Sequence, residues 1–283
     1  MPSKLPLTVV ILTFNEELNI EKCLNSVADY VNGIFIVDSY STDKTLEIAK
    51  NFENVVIFQN KFETHSKQWL WALKNLPIKN DWIFGLDCDQ TVTNKLWIEL
   101  IDLFKNGVDN FDGLYIKRKY IFMGKWIKYG GFYPKYLLKI FRKNKVIVDS
   151  NELVDHHFFI NGTTKLLEND IIEENYNENN LSFWTYKHIK YAERFAVEFS
   201  KKNEHNNKLS LDGTPDQKII TNKTIFYKLP AFLRPFLYFI YRYFIRLGFL
   251  DGRQGLIFHF LHALWFRFLV DAKIFELKNN EKS

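Results

Sequence analysis

Asp87-Cys88-Asp89 places two carboxylates one residue apart, directly after the apolar run Trp82-Ile83-Phe84-Gly85-Leu86. Held where a buried strand runs out into a loop, such a pair suits a hard cation. Mg²⁺ or Mn²⁺ takes oxygen ligands and is usually bound by one or two carboxylates together with the phosphates of a substrate. Alone the triplet is weak, because Asp-x-Asp is also a common solvated turn. Two more polar clusters follow apolar runs: Asn15-Glu16 after Leu7 to Phe14, and Asp38-Ser39-Tyr40-Ser41-Thr42-Asp43 after Gly33 to Val37. The first turn, Thr13-Phe14-Asn15-Glu16-Glu17, lacks Gly-x-Gly-x-x-Gly, and no Gly-rich loop ending in Lys-Ser/Thr occurs, so a dinucleotide or Walker-type phosphate cradle is excluded. A cation held by carboxylates then becomes the economical way to neutralise a diphosphate.

The elements that must position these clusters read as alternating strands and helices. Leu7 to Phe14 is a β-branched apolar run of the kind buried on both faces of a parallel sheet. A helix with Ile20, Leu24 and Val27 on one face follows, then the strand Gly33 to Asp38 and a helix carrying Leu46, Ala49 and Phe52. Asn54 to Phe58, a helix over Ser66 to Leu76, the strand ending at the triplet, and a helix capped by Thr93 with Leu96, Leu100 and Leu103 inward continue the pattern. Four βα units predict an open α/β sheet whose ligands gather at the carboxyl ends of its strands. All three polar clusters fall at such ends.

From Gly113 the strands shorten: Leu114 to Phe122, the turn Lys128-Tyr129-Gly130-Gly131-Phe132-Tyr133-Pro134, and Leu137 to Arg142. Lys165 to Ile172 reads as a further strand and Leu181 to Lys202 as a helix, while the polar stretch from Asn203 to Thr224 reads as a linker. This gives residues 1–110 as a nucleotide-binding half, 111–202 as an acceptor half, 203–224 as a linker and 225–283 as an aromatic, basic tail. Residues 218–283 carry 11 Lys/Arg against 4 Asp/Glu, so the net charge of +5 resides there. In that tail Arg234, Arg242, Arg246, Arg253 and Arg267 interrupt every apolar run before it reaches the ~20 residues of a membrane-spanning helix. Arg242, Arg246 and Arg253 fall on one side at about 100° per residue, which predicts an interfacial amphipathic helix or, equally, a helical hairpin packed on the catalytic domain or on a second subunit of a homo-oligomer. Basic residues interleaved with large apolar ones do not form an open polar groove, and nucleic-acid binding is not expected. Two cysteines, Cys23 and Cys88, support neither a disulfide framework nor a cysteine zinc site. Met1-Pro2-Ser3-Lys4 passes directly into a strand pattern without the features of a signal peptide, so a cytoplasmic location is expected.

Thr8 to Asn15 (TVVILTFN) with Glu16, then Ile36 to Thr45 (IVDSYSTDKT), then Trp82 to Gln90 (WIFGLDCDQ) together resemble family-2 glycosyltransferases of the GT-A fold. Gly130 to Pro134, Ile140-Phe141-Arg142, Asn151-Glu152-Leu153-Val154, Lys187 to Ala192, Gly248-Phe249-Leu250-Asp251-Gly252 and Asp271-Ala272-Lys273 are similar to the branch that builds lipopolysaccharide core and other lipid-linked glycans. The resemblance implies a Rossmann-like, mostly parallel α/β sheet with a C-terminal amphipathic helical extension. It also implies inverting transfer from a nucleotide-diphosphate sugar to a glycan or lipid-linked acceptor at the inner membrane face. Thr13, Asn15, Glu16, Asp38, Ser41, Gln68 and Asp87 would then border the donor, and Asp89 would ligate Mg²⁺ or Mn²⁺; the Arg142 guanidinium suits a diphosphate or acceptor phosphate, or equally a structural salt bridge. Inversion needs a base opposite the leaving group. Glu152 matches that position, with Asp149 and Asp155 as rival carboxylates; His156 and His157 read first as exposed loop histidines and otherwise as acceptor or metal contacts. Cys88 is expected to be filler. A sugar-phosphate nucleotidyltransferase is the other enzyme reading, but it would want a basic glycine loop where Asn15-Glu16-Glu17 is acidic; a non-catalytic carbohydrate-binding protein is the alternative from another class.

Overall fold

A computed structural model of the protein describes residues 4–150, 157–201 and 213–280. The chain divides into two compact units. One runs to Lys119 and resumes over Tyr136–Tyr176; the other takes Tyr120–Lys135 and the described residues from Asn177 onward.

In the first unit, β1 (Leu5–Thr13), β2 (Val31–Asp38), β3 (Val55–Gln59) and β4 (Trp82–Asp87) alternate with α1 (Ile20–Asn25), α2 (Thr45–Ala49) and α3 (His65–Asn75). β5 (Gln90–Val92) precedes α4 (Asn94–Asn106), and β6 (Gly113–Phe122) starts the second half of the sheet. After β7 (Lys125–Trp126) come β8 (Tyr136–Arg142), β9 (Val146–Val148), β10 (Phe158–Ile160) and β11 (Thr164–Glu173). The main sheet has the order β3-β2-β1-β4-β8-β6-β11-β5. β3, β2, β1 and β4 run parallel, whereas β8 pairs antiparallel with both β4 and β6, and β11 pairs antiparallel with β5. This is the α/β architecture expected from the sequence, with the parallel half where the βα units were read.

Local chemistry explains the elements that matter for the site. Leu7, Val9, Val10 and Ile11 of β1 are fully buried, as a strand covered on both faces requires. Thr93 caps α4 by accepting from Leu96 N (3.2 Å), and Gly107, at φ 153°, ends it. Gly85 sits inside β4 because a Cβ there would lie 2.9 Å from the ring of Trp69 in α3. Register then aligns the strand ends, with Thr13 opposite Asp38, Leu12 opposite Asp87, and Asp38 opposite Gln59.

The second unit is helical and aromatic. It contains α5 (Leu181–Lys201), α6 (Pro215–Lys228), α7 (Arg234–Ile240), α8 (Gly252–His259) and α9 (Phe266–Asn280). Phe122, Ile127, Trp184 and Phe258 form its buried centre. Two expectations change here. The linker read over 203–224 is helical from Pro215, where Thr214 and Gln217 form a reciprocal capping box. The tail is not one amphipathic helix: Leu247 takes a left-handed conformation (φ 58°) and breaks the helical register between Arg246 and Arg253. Arg242 is buried while Arg246 and Arg253 are exposed, so the three do not share a face. Among the described residues one helix, Gly248–Asn280, is long and apolar enough by length and composition to cross a membrane, because Arg253 and Arg267 do not interrupt its backbone. Asp271 within it is buried in an ion pair with Arg234, which ties the helix to its own unit.

Candidate active site

The carboxyl ends of β1, β2 and β4 carry the site. Asn15, in a left-handed conformation (φ 55°) that asparagine tolerates, turns the chain out of β1. Its N–H donates to Ser41 Oγ (2.9 Å), and its side-chain oxygen accepts from Thr42 N (2.8 Å). Glu16 N donates to Thr45 Oγ1 (2.7 Å). Burial would raise Asp43, but hydrogen bonds from Thr45 and from the Glu17 amide hold its carboxyl below the usual range. The two loops after β1 and β2 are thus laced into one rigid rim.

Asp38 organises that rim from beneath. It is 0% exposed and accepts from Thr13 Oγ1 (3.1 Å), Ser41 N (2.9 Å), Ser41 Oγ and Gln59 Nε2 (3.1 Å). Those donors fill the acceptor capacity of a carboxylate. This network holds Asp38 in place beneath the rim. Gln68 is likewise buried, donating to Ser39 Oγ (3.2 Å) and Asn60 O (3.1 Å) while accepting from Asn60 Nδ2 (2.7 Å).

The acidic triplet lies between two side-chain chains. Asp87 Oδ2 accepts from Lys139 Nζ (2.8 Å) and Gln90 Nε2 (2.8 Å); Gln90 also donates to Glu173 Oε2 (2.8 Å), and Glu173 Oε1 accepts from Arg118 Nη1 (2.8 Å). Asp89 Oδ2 accepts from Asn175 Nδ2 (3.2 Å), whose oxygen accepts from Asn19 Nδ2, and Asn19 donates to Glu16 Oε2 (2.6 Å). Glu16 and Asp89 are thus linked through Asn19 and Asn175, while Asp87 is held separately by Lys139 and Gln90. Burial first, then the charges of Asp89, Asp87 and Glu16, pushes the Cys23 thiol well above its ordinary value. Cys88 is buried filler, as expected, and burial raises its thiol as well.

Sequence reasoning missed Lys139, Gln90, Glu173, Asn175 and Asn19. Lys139 had a signal: it interrupts the apolar strand Leu137-Leu138-Lys139-Ile140-Phe141, and a lysine buried in a sheet needs a charged partner. Arg142, three residues on, is not brought to the site. It pairs in register with Trp82 at the opposite end of β4, about 17 Å of strand from Asp87. There its guanidinium lies over the Trp82 ring, bonds Asp109 Oδ1 (2.9 Å) and donates to Phe111 O (3.1 Å). The expected phosphate contact of Arg142 is thereby corrected to a structural one. Glu152, Asp155 and His156 lie outside the described residues. Asp149 is half-buried just beyond β9, and His157, also half-buried, lies with its ring 6.3 Å from that of Phe159.

The sequence pattern of glycosyl transferase family 2 matches residues 8–166, more than half of the chain. The chain belongs to that family. The matched span of this family-2 chain takes in β1 from Thr8 onward, β2 through β4, the acidic triplet and Lys139. Among relatives, the SPbeta prophage-derived glycosyltransferase SunS of Bacillus subtilis is 40% identical over 87 residues, 29% of this chain and 20% of that protein. An uncharacterized glycosyltransferase of Rickettsia bellii is 32% identical over 103 residues, 35% of this chain and 32% of that one. The chain thus spans between a fifth and a third of these relatives. Among solved structures, S. aureus TarS 1–349 in complex with UDP aligns at 17% identity with a TM-score of 0.45, over 98% of this chain and 92% of that one. Glucosyl-3-phosphoglycerate synthase from Mycobacterium tuberculosis, in complex with Mn²⁺ and UDP-glucose, aligns at 20% identity and a TM-score of 0.33, over 41% and 43%.

The donor set of this family-2 site fits a hard cation of limited protein ligation. Among the described residues no group of three His, Cys, Asp or Glu side chains is arranged to hold a metal by itself. Asp89 and Asp87 offer oxygen at one strand end, and Lys139 already neutralises part of Asp87. Such a set suits Mg²⁺ or Mn²⁺ completed by phosphate oxygens, and does not suit a closed zinc centre.

Proposed function

We propose that the protein transfers a sugar, with inversion, from a nucleoside-diphosphate sugar to a glycan acceptor, lipid-linked or of lipopolysaccharide-core type. The observation that supports this reading is the placement of Glu16, Asp87 and Asp89 at and just beyond the carboxyl ends of the neighbouring parallel strands β1 and β4, with Glu16 linked to Asp89 through Asn19 and Asn175 and buried Lys139 paired with Asp87. Strand-end polar groups at the edge of an α/β sheet are where such folds bind ligands. The rim of Asn15, Ser41 and Thr42 borders the nucleoside, held in place by Asp38, Thr13 and Gln68. An acidic first turn favours this reading over a nucleotidyltransferase, which needs that turn to receive triphosphate.

Charge on the leaving diphosphate grows as the sugar–phosphate bond breaks. A divalent cation held by Asp89 would supply Lewis-acid stabilisation of that charge. Lys139 contributes a fixed positive charge on Asp87, and Gln90 holds the Asp87 carboxylate from the other side, so the acid keeps one orientation through turnover. Glu152 is the proposed base, taking the acceptor hydroxyl proton as the new bond forms. Exposed Phe236, Ile240, Phe244, Ile245, Phe249 and Leu250 in the second unit support an inner-membrane-surface location, since so many large apolar side chains on one unit mark an interaction surface.

The test is turnover of purified Asp89→Ala and Glu152→Gln with a panel of nucleotide sugars. Asp89→Ala is expected to lose transfer while keeping its fold, and full activity in excess Mn²⁺ would remove Asp89 from this role. Glu152→Gln is expected to bind donor yet lose turnover by about 10²-fold or more; normal turnover would move the base to another carboxylate.

A further inference from the structure

Two arginines of the second unit present the same guanidinium edge to very different surroundings. Arg234 donates from Nε to Asp271 Oδ1 (2.9 Å) and Oδ2 (3.1 Å), and its Nη2 donates to Oδ1 as well, the two-pronged geometry that arginine offers a planar oxyanion. Arg242 is held as firmly. Its Nη1 donates to Tyr238 Oη (2.6 Å), its guanidinium lies 4.7 Å over the Phe132 ring, and the residue is only 7% exposed. Yet Nε and Nη2, the same forked edge, are buried without a hydrogen-bond partner. A buried charged donor pair left unmade is costly, and native structures seldom tolerate it without water or an ion.

His259, beside Arg242 and 1% exposed, also has neither ring nitrogen hydrogen-bonded. Its ring is pinched between two glycines: a Cβ on Gly130 would lie 2.1 Å from Cε1, and one on Gly248 would lie 2.6 Å from Cδ2. Burial and then the Arg242 charge lower His259 to about 4, so at neutral pH it offers one N–H donor. Arg246, exposed and four residues beyond Arg242, comes within 3.5 Å of where a Gly131 Cβ would stand, and its carbonyl accepts from Gly130 N (2.9 Å). The nearby carboxylate is already engaged, since Asp251 accepts the amides of Lys128 (3.2 Å) and Tyr129 (2.9 Å). Two stretches far apart in sequence, Lys128 to Pro134 and Arg242 to Gly252, are thereby joined beside the unmatched nitrogens of Arg242 and His259.

We propose that Arg242, His259 and Arg246 form an oxyanion site for a phosphate ester carried by the acceptor. A phosphate ester supplies a charge of up to about −2 and three acceptor oxygens, which matches a guanidinium fork, an imidazole N–H and a second guanidinium better than a single carboxylate does. The acceptor assignment rests on the transferase reading; the oxyanion site itself does not. The phosphate belongs either to a soluble phosphorylated glycan or to a membrane lipid.

The experiment measures binding of glycerol phosphate by calorimetry, and of phosphatidylglycerol against phosphatidylcholine vesicles by sedimentation, using the full chain with its donor pocket saturated with UDP and Mg²⁺. Arg242→Lys keeps the charge and removes the fork, and is expected to weaken phosphate binding about tenfold or more, with Arg246→Gln weakening it less. Loss in the glycerol phosphate arm assigns the soluble source, and loss only with phosphatidylglycerol vesicles assigns the lipid. The proposal is overturned if wild type binds neither probe, or if both variants bind as wild type does. Circular dichroism and the melting shift given by UDP check folding; should Arg242→Lys fail to fold, the exposed Arg246→Gln decides alone. Arg242-dependent phosphate binding with no melting shift from any nucleotide would keep this site and reject the donor reading.

Discussion

Lys139 shows how much a single side chain settles at the residue scale. It is nearly buried, while Asp87 keeps about a third of its side chain exposed, so their 2.8 Å ion pair is only partly shielded from solvent. Lys139→Met leaves Asp87 without its cationic partner. We expect a loss of about 1–2 kcal/mol in urea unfolding, discounted for the exposure of Asp87, together with a higher donor KM. An unchanged donor KM would separate Lys139 from the site. Asp271→Asn at the Arg234 fork is the structural counterpart. Both partners are fully or nearly buried, and leaving the guanidinium unpaired is expected to cost about 3–5 kcal/mol, read as a fall in denaturant midpoint.

At the scale of elements, Gly85→Ala tests how β4 and α3 meet. Its Cβ would lie 2.9 Å from Trp69 Cη2 and 3.2 Å from Cζ2, between strand and helix, and overpacking of this kind is expected to cost about 1–3 kcal/mol of stability. A neutral result would mean that Trp69 can shift freely. The βα elements were legible because their apolar runs are continuous and end in turn chemistry, and the three polar clusters needed only strand order to be drawn together. Lys139, Glu173 and Asn175 were not legible, because they come from β8 and from β11 and its end, antiparallel and distal strands whose neighbours no local pattern announces. Arg142 misled for the same reason: its type suits phosphate, but antiparallel pairing sends it to the far end of β4. In the tail, the 100° periodicity of the sequence runs through Leu247, but that residue is left-handed and resets the helical phase.

For the whole molecule, stability should depend on pH through the second unit. His188 stacks on Trp184 with ring centroids 3.4 Å apart, and burial lowers it from 6.5 to about 4. The folded protein therefore resists a proton that the unfolded chain accepts. Its contribution is complete above pH 6.5 and is lost as pH falls from 6.5 toward 4, by on the order of 2–3 kcal/mol. Melting temperature is expected to fall over that window, and to fall less steeply in His188→Gln; equal slopes would exclude His188 as a source. The account as a whole rests on Asp89 holding a cation against a nucleoside diphosphate at the strand ends of the first unit. The direct measurement is the melting shift given by a panel of nucleoside diphosphates with and without Mn²⁺, in wild type and Asp89→Ala. A ligand at 100 times its Kd stabilises by about 2.7 kcal/mol, a shift of a few degrees. Wild type should show that shift for at least one nucleotide and more strongly with Mn²⁺, whereas Asp89→Ala should lose the Mn²⁺-dependent part; an Asp89→Ala protein that retains it in full would contradict the account.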